Sequence, residues 1–203
     1  GLPPSFGNSP QAYNMNPDNN WGQAPRNPHA SHLNERYKNA TGPQLKARIL
    51  SAAEVNYILA EAALKGWTTP ESAQTYYEDG GYASLKAWGI TGDYATYILN
   101  AGVAYEGTQE QIMEQKWIAS WTAAAEAWFD YRRTGLPDLQ PGVVVKRDAL
   151  PLRFYYSVDE MNYNPENTQG AIDLLEETTF SAEDGKNSAW SKMWVLQGTG
   201  NPY

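Results

Sequence analysis

Residues 51–66, SAAEVNYILAEAALKG, contain the clearest structural signal of the chain. Ser51 and Glu54 have the S-x-x-E spacing of a capping box, in which the serine side chain accepts a hydrogen bond from a backbone N–H three residues later. The apolar residues that follow recur at helical spacing: Val55, Ile58, Leu59, Ala62 and Ala63. Gly66 favours a stop, because glycine readily adopts the left-handed conformation that ends many helices. The stretch therefore predicts a helix between Ser51 and Gly66.

A second helix is predicted directly downstream. Residues 69–71 (TPE) combine a cap residue, a proline at the first helical position and an acid in the first turn, and the helix is expected to run to about Trp88. Gly80 and Gly81 weaken its middle, because glycine costs about 1 kcal/mol relative to alanine inside a helix. Together the two helices have the length of one tetratricopeptide helix pair, which cannot bury its apolar face alone.

The helical pattern continues to residue 137. A shorter helix over residues 93–100, capped by Asp93, is predicted before a long helix over residues 109–134. Thr108 and Gln111 form a second capping box at the start of the long helix. Its apolar stripe, including all three tryptophans, is predicted to be core: Ile112, Trp117, Ile118, Trp121, Ala125, Trp128 and Phe129.

Both flanks of this helical core lack regular periodicity. Residues 1–45 are rich in Pro and Asn and predict a loop-rich arm that lies against residues 46–137. Residues 138–203 predict a loop-rich C-terminal region of the same single domain. The short elements expected there are an extended piece at 143–145, helical turns at 171–177, and one helical face that carries Trp190 and Trp194. The predicted fold class is mainly α, with tetratricopeptide-like helix pairs, a long additional helix and extensive irregular loops.

The composition excludes several classes of protein. The 203 residues carry 15 Lys+Arg against 23 Asp+Glu, a net charge of −8, so the basic face that nucleic-acid binding requires is missing. The absence of cysteine removes disulfides, thiolate catalysis and cysteine-ligated metal clusters. The sequence has no run of 18 apolar residues and none of the G-x-S-x-G, Walker or H-E-x-x-H motifs. The chain has eight Trp and fourteen Tyr but four Phe. Because Trp and Tyr combine an apolar ring with a polar group, this excess favours partly solvated surfaces and stacking sites in addition to core.

Four segments together resemble the C-terminal part of the SusD/RagB family of starch-binding-type outer-membrane lipoproteins. Three of them are AEVNYILAEAALKGW (53–67), IMEQKWIASWTAAAEAWFDYRRTGLP (112–137) and LPLRFYYSVDEMNYNPEN (150–167). The closing NSAWSKMWVLQGTGNPY (187–203) resembles the end of one subgroup of that family. The resemblance covers residues 45–203 in order.

This resemblance implies a helical binding protein without a catalytic centre or cofactor. Family members sit on the outer face of the outer membrane, pair with a TonB-dependent transporter and help to capture glycans, or sometimes peptides, for import. They are longer than this chain and begin with a lipidated cysteine. The chain is therefore interpreted as a fragment of a longer protein, with the lipid anchor outside it.

Charged residues cluster at the end of the long predicted helix. Glu126, Asp130, Arg132 and Arg133 are interpreted as a structural ion network, with Arg153 as a further partner. The alternative makes Glu126 and Asp130 a catalytic pair of an all-helical carbohydrate-active enzyme. That reading is less favoured, because a glycosidase needs two carboxylates that flank the scissile bond, and one helix face rarely supplies both.

Two patterns in the arm resemble metal sites only superficially. His29, His32 and Glu35 follow a proline in a segment with weak helical character, so tetrahedral geometry is unsupported. Residues 14–20 alternate Asn and Asp as calcium loops do, but the glycine expected at the sixth loop position and the closing acid are missing. Both are interpreted as ordinary loops, and no metal site is predicted.

Exposed aromatic residues are the candidates for ligand contact. Sugar rings present apolar C–H faces that can stack on Trp and Tyr, while neighbouring amides and acids bind the hydroxyls. Tyr13, Trp21 and Tyr37 in the Asn-rich arm and Trp67 at an interhelical turn fit that mixture. The favoured function is thus a non-catalytic glycan-binding component that works with a TonB-dependent transporter. The alternative is a helical protein–protein adaptor without a glycan site of its own.

Overall fold

The described part of the chain divides into two compact units. The structure, a computed structural model, describes residues 48–141, 145 and 147–203. Residues 48–138 with 199–203 form one unit, called here the helical unit, and residues 139–198 form the other, the C-terminal unit. The arm predicted over residues 1–45 lies outside the described residues, and the single-domain arrangement stays a prediction.

The helical unit contains five α-helices, so the predicted mainly α fold is confirmed. In chain order they are α1 (Ala52–Leu64), α2 (Ala73–Trp88), α3 (Tyr94–Tyr97), α4 (Gln109–Ala119) and α5 (Ala124–Thr134). Helix α1 packs along α2, and α4 packs across the same pair. Throughout the described ranges, no helix is both long and apolar enough to cross a lipid bilayer.

Helix α1 confirms its predicted start and stop. The Ser51 hydroxyl oxygen accepts a hydrogen bond from the Glu54 N–H at 3.0 Å. At the other end the Trp67 N–H reaches the Ala62 carbonyl at 3.0 Å, while Gly66 has a φ of 78°. This arrangement satisfies carbonyls that the end of a helix would otherwise leave without partners.

Helix α2 begins later than predicted. Its cap is Ser72, whose hydroxyl oxygen accepts a hydrogen bond from the Thr75 N–H at 3.1 Å. Thr69, the predicted cap, instead donates its hydroxyl to the Glu71 carbonyl at 2.9 Å and stabilises the turn that precedes the helix. The helix predicted over residues 93–100 is likewise shorter, because α3 is a single turn and Asp93 makes no side-chain capping hydrogen bond to it.

The glycine pair in α2 has a packing role. A Cβ built on Gly80 would lie 2.9 Å from two ring carbons of Tyr57, which is 1% exposed on α1. The absence of a side chain at position 80 therefore allows the two helices to approach across the Tyr57 ring. Around this contact lies the buried core of the helical unit: Ala53, Tyr57, Ala60, Tyr76, Tyr77, Ile112, Met113 and Ala119.

The long helix predicted over residues 109–134 is wrong, because the chain breaks between α4 and α5. Short turns replace the helix after Ala119, with the Ala123 N–H bonded to the Ser120 carbonyl at 2.6 Å. In one straight helix, Lys116 and Asp130 would be about 21 Å apart along the axis, from 14 residues at 1.5 Å each. The break brings these two side chains into a salt bridge. A long-range ion pair thus accompanies a bend that local periodicity could not reveal.

The predicted apolar core stripe is also wrong in part. Ile112 is buried, but Trp117 and Trp121 are 42% and 49% exposed, Ile118 and Phe129 are comparably exposed, and Trp128 is half-buried. The buried face of α4 carries Gln111 and Gln115 instead. Polar side chains can be buried when they are hydrogen-bonded. Gln111 donates to the Ala104 carbonyl at 2.7 Å, and Gln115 accepts from the Tyr97 hydroxyl at 2.8 Å.

The described residues of the C-terminal unit form two short helices and many turns. Helices α6 (Val158–Tyr163) and α7 (Pro165–Asp173) lie mostly before the predicted helical turns at 171–177. Asn187 pairs with the backbone of Tyr156 through both amide atoms, accepting from its N–H at 2.8 Å and donating to its carbonyl at 3.1 Å. Glu176 and Lys192 exchange two backbone hydrogen bonds as an isolated bridge.

The tryptophan prediction for this unit is wrong. Trp190 lies in a turn, where its indole N–H donates to the Ala149 carbonyl at 2.8 Å. Trp194 lies in a separate 3₁₀ turn (Trp194–Leu196) and is 83% exposed. The two residues therefore do not share a helical face. Residues 143 and 144 of the predicted extended piece lie outside the described residues.

Candidate functional site

A cavity of about 370 Å³ opens between α1, α4 and α5 of the helical unit. Its volume falls within the range typical of pockets for small ligands. We call it the charged pocket and define it by its lining: Glu54, Ile58, Glu61, Ala62, Lys65, Trp67, Lys116, Glu126, Phe129, Asp130 and Arg133.

Helical spacing explains why these residues share one site. Glu54, Ile58 and Glu61 are three to four residues apart on α1, and so they project from one face. The same spacing joins Glu126, Asp130 and Arg133 on α5. Two amphipathic faces thus meet around the pocket, and each brings carboxylates.

A chain of ion pairs forms the floor of the pocket. Arg133 donates two hydrogen bonds to Glu61, at 2.8 and 2.7 Å, and contacts Asp130 at 3.0 Å. Lys65 pairs with Glu61 at 2.8 Å, one helical turn away, while Lys116 pairs with Asp130. Bidentate pairing fixes both the position and the plane of the guanidinium group. The result is a floor in which each cation bonds to a carboxylate.

These contacts shift the titration of Glu61. Burial acts to raise the pKa of Glu61, but hydrogen bonds from Arg133 and Lys65 outweigh it and hold that pKa at about 2. The hydrogen bond to Glu61 in turn raises the pKa of Arg133 above its ordinary value. Both groups therefore remain charged at neutral pH, and the Glu61–Arg133 ion pair persists across the physiological range.

Trp67 forms an aromatic wall of the pocket. It follows the Gly66 stop of α1 and is 70% exposed. Phe129 of α5 and Ile58 of α1 supply further apolar surface. An exposed indole beside carboxylates and ammonium groups offers both a stacking face and hydrogen-bonding partners for a polar ring.

The structure brings together only some of the residues predicted as sites. Asp130 and Arg133 are paired, and Glu126 lines the same pocket. Arg132 lies over the Trp128 ring at 4.2 Å. Arg153 belongs to the C-terminal unit, where it donates to the Ser188 carbonyl at 3.0 Å, and its membership of the network stays a prediction.

The other aromatic candidates, Tyr13, Trp21 and Tyr37, lie outside the described residues. So do the two arm segments weighed as metal sites, at residues 14–20 and 29–35. Within residues 48–141, 145 and 147–203, no group of three or more acidic or histidine side chains is placed to hold a metal ion. Of the four residues predicted for ligand contact, the structure therefore describes Trp67 alone.

Sequence reasoning missed three members of the ion chain. Glu61 and Lys65 have the i,i+4 spacing of a helical ion pair, so that pair could have been found locally. Their link to Arg133, 72 residues from Glu61, is a tertiary contact without a local signal. Lys116 also could not be found, because its pairing with Asp130 depends on the break between α4 and α5.

A second cavity of about 240 Å³ lies on another side of the helical unit. Its aromatic lining includes Trp88 and Trp121, whose ring centroids are 6.0 Å apart, and Tyr97. It is smaller than most ligand sites. The charged pocket is the stronger candidate, because it is larger and combines an exposed aromatic face with charged groups.

Comparisons with known proteins agree with this helical architecture. The SusD-like family, described as starch-binding and associating with the outer membrane, matches residues 13–157. No curated protein matches the chain.

Solved structures resemble the chain over most of its length. A SusD-like protein from Bacteroidetes is 29% identical with a TM-score of 0.56, over 69% of this chain and 29% of its own. A SusD homologue from Bacteroides vulgatus is 28% identical with a TM-score of 0.58, over 75% of this chain and 36% of its own. A chitin-binding SusD homologue from Flavobacterium johnsoniae is 26% identical with a TM-score of 0.56, over 68% of this chain and 35% of its own.

The chain spans roughly a third of the length of these solved structures. The family match extends from residue 13 to residue 157, which is well over half of the 203 residues. Sequence and fold thus point to the same relatives, and the chain belongs to the SusD-like family.

Proposed function

We propose that this chain is part of a non-catalytic glycan-binding component of an outer-membrane uptake system. The component works at the cell surface with a TonB-dependent transporter. The family description and the chitin-binding homologue support glycan binding. The observation that links this function to a particular site is the exposed Trp67 at the charged pocket.

The pocket has the chemistry of sugar recognition. A pyranose can stack its C–H face on the Trp67 indole while its hydroxyls bond to the carboxylates and cations of the floor. Tyr13, Trp21 and Tyr37 remain further candidates for the same ligand. In this proposal the helices hold the aromatic and polar groups in fixed positions, so binding needs little rearrangement.

The arrangement of carboxylates supports binding rather than hydrolysis. Glu126 and Asp130 lie one turn apart on the same face of α5, and therefore approach a ligand from the same side. Glycosidases place their two carboxyl groups on either side of the scissile bond. Asp130 is also held by Lys116 and Arg133, so a proton-transfer role would require breaking two ion pairs.

The test is binding of the 203-residue chain to an array of plant, algal and microbial oligosaccharides. A bound glycan should lose affinity by about tenfold or more, equivalent to about 1.4 kcal/mol, when Trp67 is replaced by alanine. Trp194→Ala is the matched control, because Trp194 is also largely exposed, at 83% against 70% for Trp67, but belongs to the C-terminal unit. Equal losses in both variants, or none in either, would contradict the proposed site.

A second function, the protein–protein adaptor, is favoured by one observation. Trp117, Ile118 and Trp121 expose apolar surface at the end of α4, and such patches often mark protein contacts. Co-purification with a TonB-dependent transporter, combined with no retention of any glycan, would support the adaptor. Glycan binding that depends on Trp67 would support the first function.

A further inference from the structure

The charges of the charged pocket do not cancel. Glu61 and Asp130 are engaged by the three cations that form the pocket floor. Glu54 and Glu126 line the same cavity. Among the residues that the structure describes, neither of these two carboxylates makes an ion pair or a side-chain hydrogen bond. With four carboxylates against three cations, the lining of the pocket has a net charge of −1.

Glu54 is the more informative of the two, because only 6% of the residue is exposed. Its carboxylate oxygens are not among the buried side-chain atoms that lack a partner, so they keep contact with water while the rest of the side chain is enclosed. A cation that enters the pocket would supply the missing partner. The floor cannot do so, since its cations already bond to Glu61 and Asp130.

The surroundings indicate what kind of cation fits. Trp67, Phe129 and Ile58 supply apolar surface beside the two carboxylates. A ligand with an ammonium group on a ring that has an apolar face matches both features. The cavity volume of about 370 Å³ lies in the range of pockets for small ligands, such as a single sugar residue.

We infer that the charged pocket binds an amino sugar, with its protonated amine at Glu54 and Glu126 and its ring face on Trp67. The inference rests on the proposed glycan-binding function and names the class of glycan. It is carried by the Glu54 carboxylate, which lines the pocket on a largely enclosed residue and makes no ion pair within the described residues, together with the exposed indole. A neutral sugar would leave that carboxylate without an ionic partner.

Calorimetric titration with three oligosaccharides of equal length tests the inference. The ligands are a β-1,4-glucosamine tetramer, its fully N-acetylated form and a β-1,4-glucose tetramer. At about pH 6 the free amines are protonated and side-chain carboxylates are ionised. The 203-residue chain should bind the glucosamine tetramer at least tenfold more tightly than either neutral ligand, and added salt should reduce the preference.

Single substitutions test whether the preference for the glucosamine tetramer depends on Glu54. Glu54→Gln should remove it, since the amide keeps the shape and loses the charge, whereas Glu114→Gln on the exposed side of α4 should retain it. Thermal unfolding checks that the variants are folded. If the Glu54→Gln variant is unfolded, Glu126→Gln repeats the test. A tri-lysine peptide that bound equally well with the same dependence on Glu54 would overturn the assignment to a sugar.

The outcomes separate the two proposals. Equal binding of all three tetramers, with unchanged binding in Glu54→Gln, would overturn the amino-sugar inference and leave the glycan-binding function standing. Failure of the chain to bind these tetramers or any glycan of the array would overturn both. Preference for the glucosamine tetramer that disappears in Glu54→Gln is the expected result.

Discussion

Replacing Gly80 with alanine should destabilise the helical unit, whereas the same change at Gly81 should stabilise it. The two glycines are neighbours in α2, and both substitutions gain about 1 kcal/mol of helix propensity. They differ in what the new methyl group meets. At Gly80 it would lie 2.9 Å from two ring carbons of Tyr57, but at Gly81 its nearest atoms, on Tyr57 and Tyr94, are 3.7 Å away.

The magnitude follows from the packing around Tyr57. Its ring is almost fully buried and contacts Tyr77 edge-on with centroids 5.9 Å apart, so it cannot swing away freely. Extra methyl groups in a well-packed core cost about 1–3 kcal/mol. Since the propensity gain is common to both variants, Gly81→Ala should be the more stable of the two by about 1–3 kcal/mol.

Urea unfolding monitored by far-UV circular dichroism measures this difference. The cost of Gly80→Ala should shrink in a Tyr57→Leu background, because the shorter side chain leaves room for the methyl group. Equal stability of the two alanine variants would show that α1 and α2 do not approach at Gly80, and the packing argument would fail.

Three further predictions concern the ion chain, the C-terminal unit and a helix cap. The folded-state pKa of Glu61 is about 2 against an ordinary value of 4.5. The stability contributed by its pairing with Arg133 should therefore be present above about pH 5 and lost as the pH falls toward 2. In urea unfolding across this range, the Glu61→Gln variant should lose less free energy of unfolding on acidification than the unsubstituted chain. Asn187→Ala removes both hydrogen bonds to the Tyr156 backbone and should destabilise the C-terminal unit by about 1–3 kcal/mol, measured by amide hydrogen exchange of that unit. Ser51→Ala should cost about 1 kcal/mol in urea unfolding through loss of the α1 cap, and an unchanged midpoint would contradict that role.

Local signals predicted α1 better than any other element. Its cap at Ser51 and its stop at Gly66 depend on residues within three or four positions, and both were confirmed. The start of α2 was misplaced because two capping sequences lie close together, and the structure uses Ser72 rather than Thr69. The mainly α class followed from the same short-range patterns.

Tertiary contacts explain most of what the sequence could not predict. An uninterrupted apolar stripe over residues 109–134 favoured one helix, but the chain bends and pairs Lys116 with Asp130. The same bend leaves Trp117 and Trp121 exposed, although their spacing is that of core residues. Hydrophobic periodicity identifies an apolar face without indicating whether another element covers it.

The candidate site was predictable only in part. Trp67 was identified because it follows a helix stop, where side chains are often exposed, and it does line the charged pocket. The carboxylate of Glu54 was assigned only to the capping box, since nothing in its local pattern indicates that it is buried beside a cavity. Assembly of the pocket from α1, α4 and α5 is a property of the tertiary fold.

The central claim, that Trp67 contacts a glycan, is tested most directly by nuclear magnetic resonance. Each of the eight tryptophans contributes one indole N–H signal, and single substitutions assign those of Trp67 and Trp194. The account predicts that an oligosaccharide bound by the chain shifts the Trp67 signal in a saturable manner and leaves the Trp194 signal in place. Saturable binding with an unmoved Trp67 signal would contradict the account and place the ligand elsewhere on the chain.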